Sequence, residues 1–351
     1  MTSKARLREA DEASAAFHLA LTQIGAGTVQ EAILLWDETA TDKRGAIAEG
    51  WLDKAVELVM TRRSLSTALA RAYYRLARAL LTGTTVADPY HPEPTYITLG
   101  VLRDEFAQLA GGAESPQEGQ TQQPRSSESD TPSHAASEPP ADAEGTEDDD
   151  DDRVLVEELE DLRKAEEEAD SQAEEEIRTD LEALGPKNLQ KKLGEIDTGQ
   201  PADKVDDERE EARRQAGARQ AAAAERVAQN GGRSLIWNQA GRDKRAIGYV
   251  RMSRTGTPCG WCAMLISRGA VYRSEKSALY AEGDLYHDNC HCYAQPIFTR
   301  EQYKNSQSYE LNRRYSELWP KVTKGLTGKA AVSAWRRFIR QEQKAAAQEA
   351  R

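Results

Sequence analysis

The stretch PCGWCAMLISRGAVYRSEKSALYAEGDLYHDNCHCY, Pro258 to Tyr293, holds all four cysteines of a 351-residue chain and two of its five histidines. The spacing is C-x2-C, then 24 residues, then H-x2-C-H-C. Tetrahedral zinc takes four soft or borderline ligands, commonly presented as two close pairs on tight turns. Cys259 and Cys262 form the first pair, and Gly260 lets the backbone fold around an ion. The second comes from His287, Cys290 and Cys292. Cys259, Cys262 and Cys290 lead the ligand set, with the fourth position open to His287 or Cys292. His291 alternates to the opposite side from its strand neighbours. The expected cofactor is a structural zinc ion, which supplies folding free energy directly to a segment with few large apolar residues. Two other uses of C-x2-C fit less well. Redox motifs lie near a βαβ pattern, which is not found here. The zinc deaminase pattern needs an H-x-E before its P-C-x-x-C, and none precedes PCGWC.

Working outward, AIGYVRMS (Ala246–Ser253), GAVYRS (Gly269–Ser274) and CYAQPIF (Cys292–Phe298) read as short strands, so the cysteine pairs fall in turns at strand edges. A basic helical tail follows, containing AVSAWRRFIRQEQKAAAQEAR. Upstream, residues 5–82 read as a helical bundle. Leu65, Leu69, Tyr73, Leu76 and Leu80 share one helical face. Gly25, Gly27 and Asp42–Lys43 are expected to divide the bundle into three or four helices. Ser64 is the expected N-cap of the last, and Gly83 its stop. His18 lies on an apolar helix face, where a structural role is expected. From Arg153 to about Ala183, and again from Asp203 to Gly231–Gly232, the chain reads as charged helix, interrupted by GPKNLQKKLGEIDTGQP. Their thin apolar stripes predict packing on each other or on partner subunits, without a strict heptad.

The expected class is therefore mainly α with a small α+β cysteine/histidine-rich module. An N-terminal helical domain (1–110) precedes a disordered acidic linker (111–152), a charged helical region (153–231), a zinc-knuckle-like module (232–300) and a basic helical tail (301–351). Composition agrees, with 38% hydrophobic and 30% charged residues. The net charge of −12 is unevenly spread: residues 111–152 carry −12 and residues 231–351 carry +11. The linker has almost no aliphatic residue larger than alanine, so it cannot offset the entropy of ordering. No apolar run approaches the roughly 18 residues of a membrane span, and the N-terminus has no signal-peptide core. The expectation is a host-cytoplasmic product with no membrane contact. In that reducing setting clustered cysteines bind metal more readily than they pair.

PCGWCAMLISRGAVY followed by YHDNCHCYAQPIF resembles the C-terminal cysteine–histidine module of the Mu protein F-like minor head proteins of tailed phages, in the version found in phages of actinobacteria. The resemblance covers about Gly241 to Phe298 and extends loosely to the helical N-terminal region. Its recurring residues fall on Cys259, Cys262, His287, Asn289, Cys290 and Cys292. The acidic linker has no counterpart. The resemblance implies a virion component in few copies, inside the head near the portal, linked with head assembly and DNA packaging or delivery. Its implied partners are portal and major head proteins, and packaged DNA. A basic C-terminal region would contact DNA through phosphates, without reading sequence. Arg336, Arg337 and Arg340 on the tail helix, and Arg251 and Arg254 beside the module, are the residues for that contact. Two alternatives stand beside this reading. A capsid maturation protease would need a nucleophile–base pair, and no G-x-S-x-G elbow or other catalytic residue is found. A nucleic-acid-binding zinc module could use Trp261, Tyr272, Tyr286 and Tyr293 for stacking, with Arg251, Arg254, Arg268 and Arg273 around them.

Overall fold

The computed structural model of the chain describes residues 3–39, 50–90, 97–111, 148–253, 258–272, 290 and 292–349. Three helices organise it: α1 (Ser3–Thr39), α2 (Trp51–Thr82) and α6 (Ala202–Arg242). Around them lie α3 (Leu99–Gly111), α4 (Asp148–Glu182) and α5 (Asn188–Gly194). The acidic segment 112–147 lies outside the described residues. The sequence reading assigned Asp148–Asp152 to the linker, but the helix of α4 begins at Asp148. Acids are favourable at a helix N-terminus because they face its positive dipole end.

The first core brings together the predicted leucine–tyrosine face of α2 and residues from distant segments. Leu69, Tyr73, Leu76 and Leu80 are buried against Phe17, Leu21 and Ile24 of α1 and Leu102 and Phe106 of α3. Phe17 stacks on Tyr73 with ring centroids 4.6 Å apart. Leu235 and Ile236 of α6 join the same core, as do Val250, Met252, Tyr293 and Ile297 from a small sheet.

A second core lies along the other half of the bundle. Trp36 and Trp51 meet edge to face at 5.2 Å, surrounded by Ala173, Ile177 and Leu181 of α4 and the alanine-rich face of α6. The two charged helices do pack on each other, through small side chains at helical spacing.

Several expected helix breaks are instead crossing points. Gly25 and Gly27 lie inside α1, and a Cβ at Gly25 would run into the Gln229 side chain of α6. Ser64 is interior to α2 and caps nothing. Gly231 and Gly232 do not end α6, which continues to Arg242. There the backbone of α6 rides on that of α2: a Cβ on Gly231 would sit 2.6 Å from the Arg63 carbonyl oxygen, and one on Gly232 would sit 2.7 Å from that of Ser66. Ser66 Oγ donates to the Ala228 carbonyl at 2.6 Å and accepts the Gly232 N–H at 3.0 Å, closing the contact. Gly83 does stop α2, with φ 83 and its N–H donating to the Ala79 carbonyl. Gly185–Pro186 does not break the helix either. Residues Ala183–Lys187 form a π-helical turn between α4 and α5, and the chain reverses only over 195–201. A proline cannot donate to the helical ladder, and the wider turn accommodates its ring.

The strand expectations hold. β1 (Gly248–Met252), β2 (Val271–Tyr272) and β3 (Tyr293–Ile297) form an antiparallel sheet in the order β2-β1-β3. Met252 pairs with Tyr293 and Val250 with Gln295. These residues face α1, where Ser14 Oγ donates to Gln295 Oε1 at 2.7 Å. Alternation along the strands turns Arg251 and Cys292 to the opposite face. That face is covered by α7 (Gly260–Ser267), α9 (Glu310–Val322) and α10 (Gly328–Glu349), with the short α8 (Arg300–Asn305) leading into them. Among the described residues no helix is long and apolar enough to cross a membrane.

Candidate metal centre

Cys259 is the N-cap residue of α7, and its Sγ accepts the Cys262 N–H at 3.4 Å. A sulfur in that position faces the positive end of the helix. Cys262 lies one turn inside α7 and is buried. Cys290 and Cys292 enter from the segment leading into β3, and they are buried as well, at 3% and 2% exposure. Cys262 and Cys290, 28 positions apart in the chain, therefore form two halves of one site, closed by the β1–β3 pairing.

The sulfurs of Cys262, Cys290 and Cys292 lie within 4.8 Å of one another, and Cys262 Sγ is 3.4 Å from Cys290 Sγ. Zn–S bonds of about 2.3 Å in a tetrahedron place sulfurs about 3.8 Å apart, so three ligand atoms are already gathered at nearly the required spacing. No cysteine is in a disulfide. The group is metal-binding in its chemistry, and three buried thiols in contact are compatible with zinc. The sequence reading put Cys259 among the leading ligands and left Cys292 as an alternative. In the structure Cys292 is central, and Cys259 sits at the exposed rim. His287 and Asn289 lie outside the described residues.

The thiols perturb one another strongly. Hydrogen bonding to Cys259, then to Cys290 and Cys292, together with burial, pushes the Cys262 thiol far above the usual range. Hydrogen bonds from Cys262 and Cys292, helped by the Arg233 guanidinium, hold Cys290 far below it. For Cys292 the hydrogen bond with Cys262 pulls downward, but the one with Cys290 and burial together raise it to about 12. The neighbouring thiols and the Arg233 guanidinium thus favour negative charge at Cys290 over Cys262 and Cys292. A divalent cation bound there would displace the shared protons and tie α7 to β3.

The sulfurs belong to a third, small core. It contains Ala263, Leu265 and Ile266 of α7, Tyr315 of α9, and Trp335 and Ile339 of α10. Trp335 meets Tyr315 and Trp319 edge to face at 5.6 and 5.2 Å. The tail helix thus docks on the cysteine turn. A Cβ on Gly260 would approach Arg336 Cγ to 2.9 Å, and Gln343 Nε2 donates to the Pro258 carbonyl at 3.0 Å.

The basic residues singled out from the sequence divide. Arg336, Arg337 and Arg340 are exposed on α10, at spacings that share one side of the helix. Arg251 is 7% exposed in β1, on the cysteine side of the sheet, where a phosphate would not reach it. Arg254 lies outside the described residues. Sequence reading missed Arg233, which reaches from α6 to donate to the Cys290 carbonyl across 57 residues. It ends a buried row on α6, Glu225–Gln229–Arg233. The i,i+4 spacing of that row is visible in the sequence, but its destination is not.

Fold and site together define a mainly helical protein with a small cysteine-rich module suited to a metal ion. The model of the VG15 protein family matches residues 162–318, from within α4 through most of α9, and includes the sheet and the cysteine centre. That family is a phage protein family, and the match, over less than half of the chain, supports a phage protein. No curated protein and no solved structure matches the chain.

Proposed function

We propose that this chain is a minor head protein of a tailed phage, held inside the head near the portal. In this reading a zinc ion is the structural staple of its cysteine module, and its partners are portal or major head proteins. The observation that carries the reading is the overlap between the VG15 match and the metal centre: residues 162–318 include Cys259, Cys262, Cys290 and Cys292. The same four residues, with His287 and Asn289, carry the resemblance to the Mu protein F-like module. A docked helix presenting Arg336, Arg337 and Arg340 suits contact with DNA phosphates, which requires charge and position but no base recognition.

Purified particles of the encoding phage test this. The chain is expected in intact DNA-filled heads in few copies, protected from added protease until the heads are opened. Absence from purified particles, or digestion from unopened ones, would overturn the assignment.

A further inference from the structure

Two buried arginines flank the sulfur cluster from different elements. Arg233, 2% exposed, comes from α6 and donates through its guanidinium to the Cys290 carbonyl, and its other acceptors include Gln229 Oε1 and Asn230 Oδ1. Arg251, 7% exposed, comes from β1. It pairs with Ala294, two residues from Cys292, so both side chains lie on the same face of the sheet. Asn312 of α9 donates to the Arg251 carbonyl at 2.7 Å and fixes the strand there.

Burying a cation is costly unless negative charge lies close by. We propose that Arg233 and Arg251 are the countercharges of an anionic thiolate–metal complex, and that the ion is a divalent cation held by four sulfurs, with Cys259 as the fourth. Four thiolates around a divalent ion leave two negative charges, which the two nearby guanidiniums help to offset. Cys259 already lies one helical turn from Cys262, with the Cys262 N–H directed at its sulfur, and its thiol also meets that of Cys262 in a hydrogen bond. The inference concerns the metal alone and does not depend on where the protein sits in a particle.

The test uses the full chain loaded with cobalt(II) or zinc. X-ray absorption at the metal edge of the unmutated protein should count four sulfurs. Three sulfurs with a nitrogen, or no metal uptake, would overturn the ligand set. Competition with a chromophoric chelator then reads affinity in the variants. Arg233→Gln and Arg251→Gln should each weaken zinc binding about 10- to 100-fold, the usual consequence of losing a group that supports a metal ligand. Arg233→Lys should recover most of the loss, because it restores charge without the planar fork. Unchanged affinity in both glutamine variants would refute the countercharge role. So would a lysine variant as weak as the glutamine one, which would point to the hydrogen bond on Cys290 alone. Where a glutamine variant does not fold, the lysine variants at both positions carry the comparison, with near-native affinity expected.

Discussion

The alanine–tryptophan core of the bundle and the cysteine core under α10 bury surface by opposite means. In the first, nine of seventeen buried residues are alanine, spread over α1, α2, α4 and α6. Such small side chains contribute little each, but they let long helices approach closely and make many dispersion contacts. The glycines at the crossings extend the same device to backbone contact. In the cysteine core, three of ten buried residues are cysteine, and Trp335 is fully buried among them. That core is short, and its sulfurs repel as charges unless protons or a cation lie between them. Length stabilises the bundle, whereas the module gathers three buried cysteines in an arrangement compatible with a metal ion.

The contrast has measurable consequences. The largest effect is expected from Cys290→Ser. Metal content should fall from one ion per chain to none, and the near-ultraviolet signal of the packed tryptophans beside α7 should collapse, while the far-ultraviolet helical signal of the bundle persists. Simultaneous loss of both signals would show that the two cores are not separable. Gly232→Val should be next. Its side chain would meet the Ser66 carbonyl at 2.7 Å, contacting backbone that cannot rotate away. Overpacking of this kind costs about 3 kcal/mol, read as a lower urea midpoint of the bundle with unchanged metal content. A neutral result would mean that α2 and α6 can separate freely. The smallest effect concerns the tie between α1 and α3. The Arg103 hydrogen bond holds Glu9 below its usual carboxyl value. Its stabilisation is present above the unfolded carboxyl pKa and is lost as pH falls through the lowered folded value. Both side chains are partly exposed, at 24% for Glu9 and 36% for Arg103. The acid-dependent difference between wild type and Arg103→Gln should therefore stay below about 1 kcal/mol.

The outcome at particular residues shows what could be read in advance. The face of Leu69, Tyr73, Leu76 and Leu80 was legible because a 3.6-residue period leaves few other ways to bury it. The three strands were legible from short β-rich runs bounded by turns. The glycines misled, since a glycine that ends a helix and one that lets another helix touch its backbone look alike locally. Gly83 has a positive φ and stops α2, whereas Gly231 and Gly232 lie under the carbonyls of another helix. The clustering of the cysteines announced a site compatible with a metal ion, but their relative burial did not follow from spacing. Cys292 is inside and Cys259 at the rim because the pairing of β3 with β1 sets which residues of that segment face inward.

By itself the sequence determined the class of the fold, the positions of the strands, the main helical face and the chemistry of the sulfur cluster. Each of these is written in short-range periodicity or in residue type. Only the tertiary structure decided that α6 crosses α2 at its two glycines, that Arg251 faces sulfur rather than solvent, and that Arg233 joins it from a distant helix. Those facts depend on which surfaces meet, and contacts between residues far apart in the chain leave no periodic trace along it.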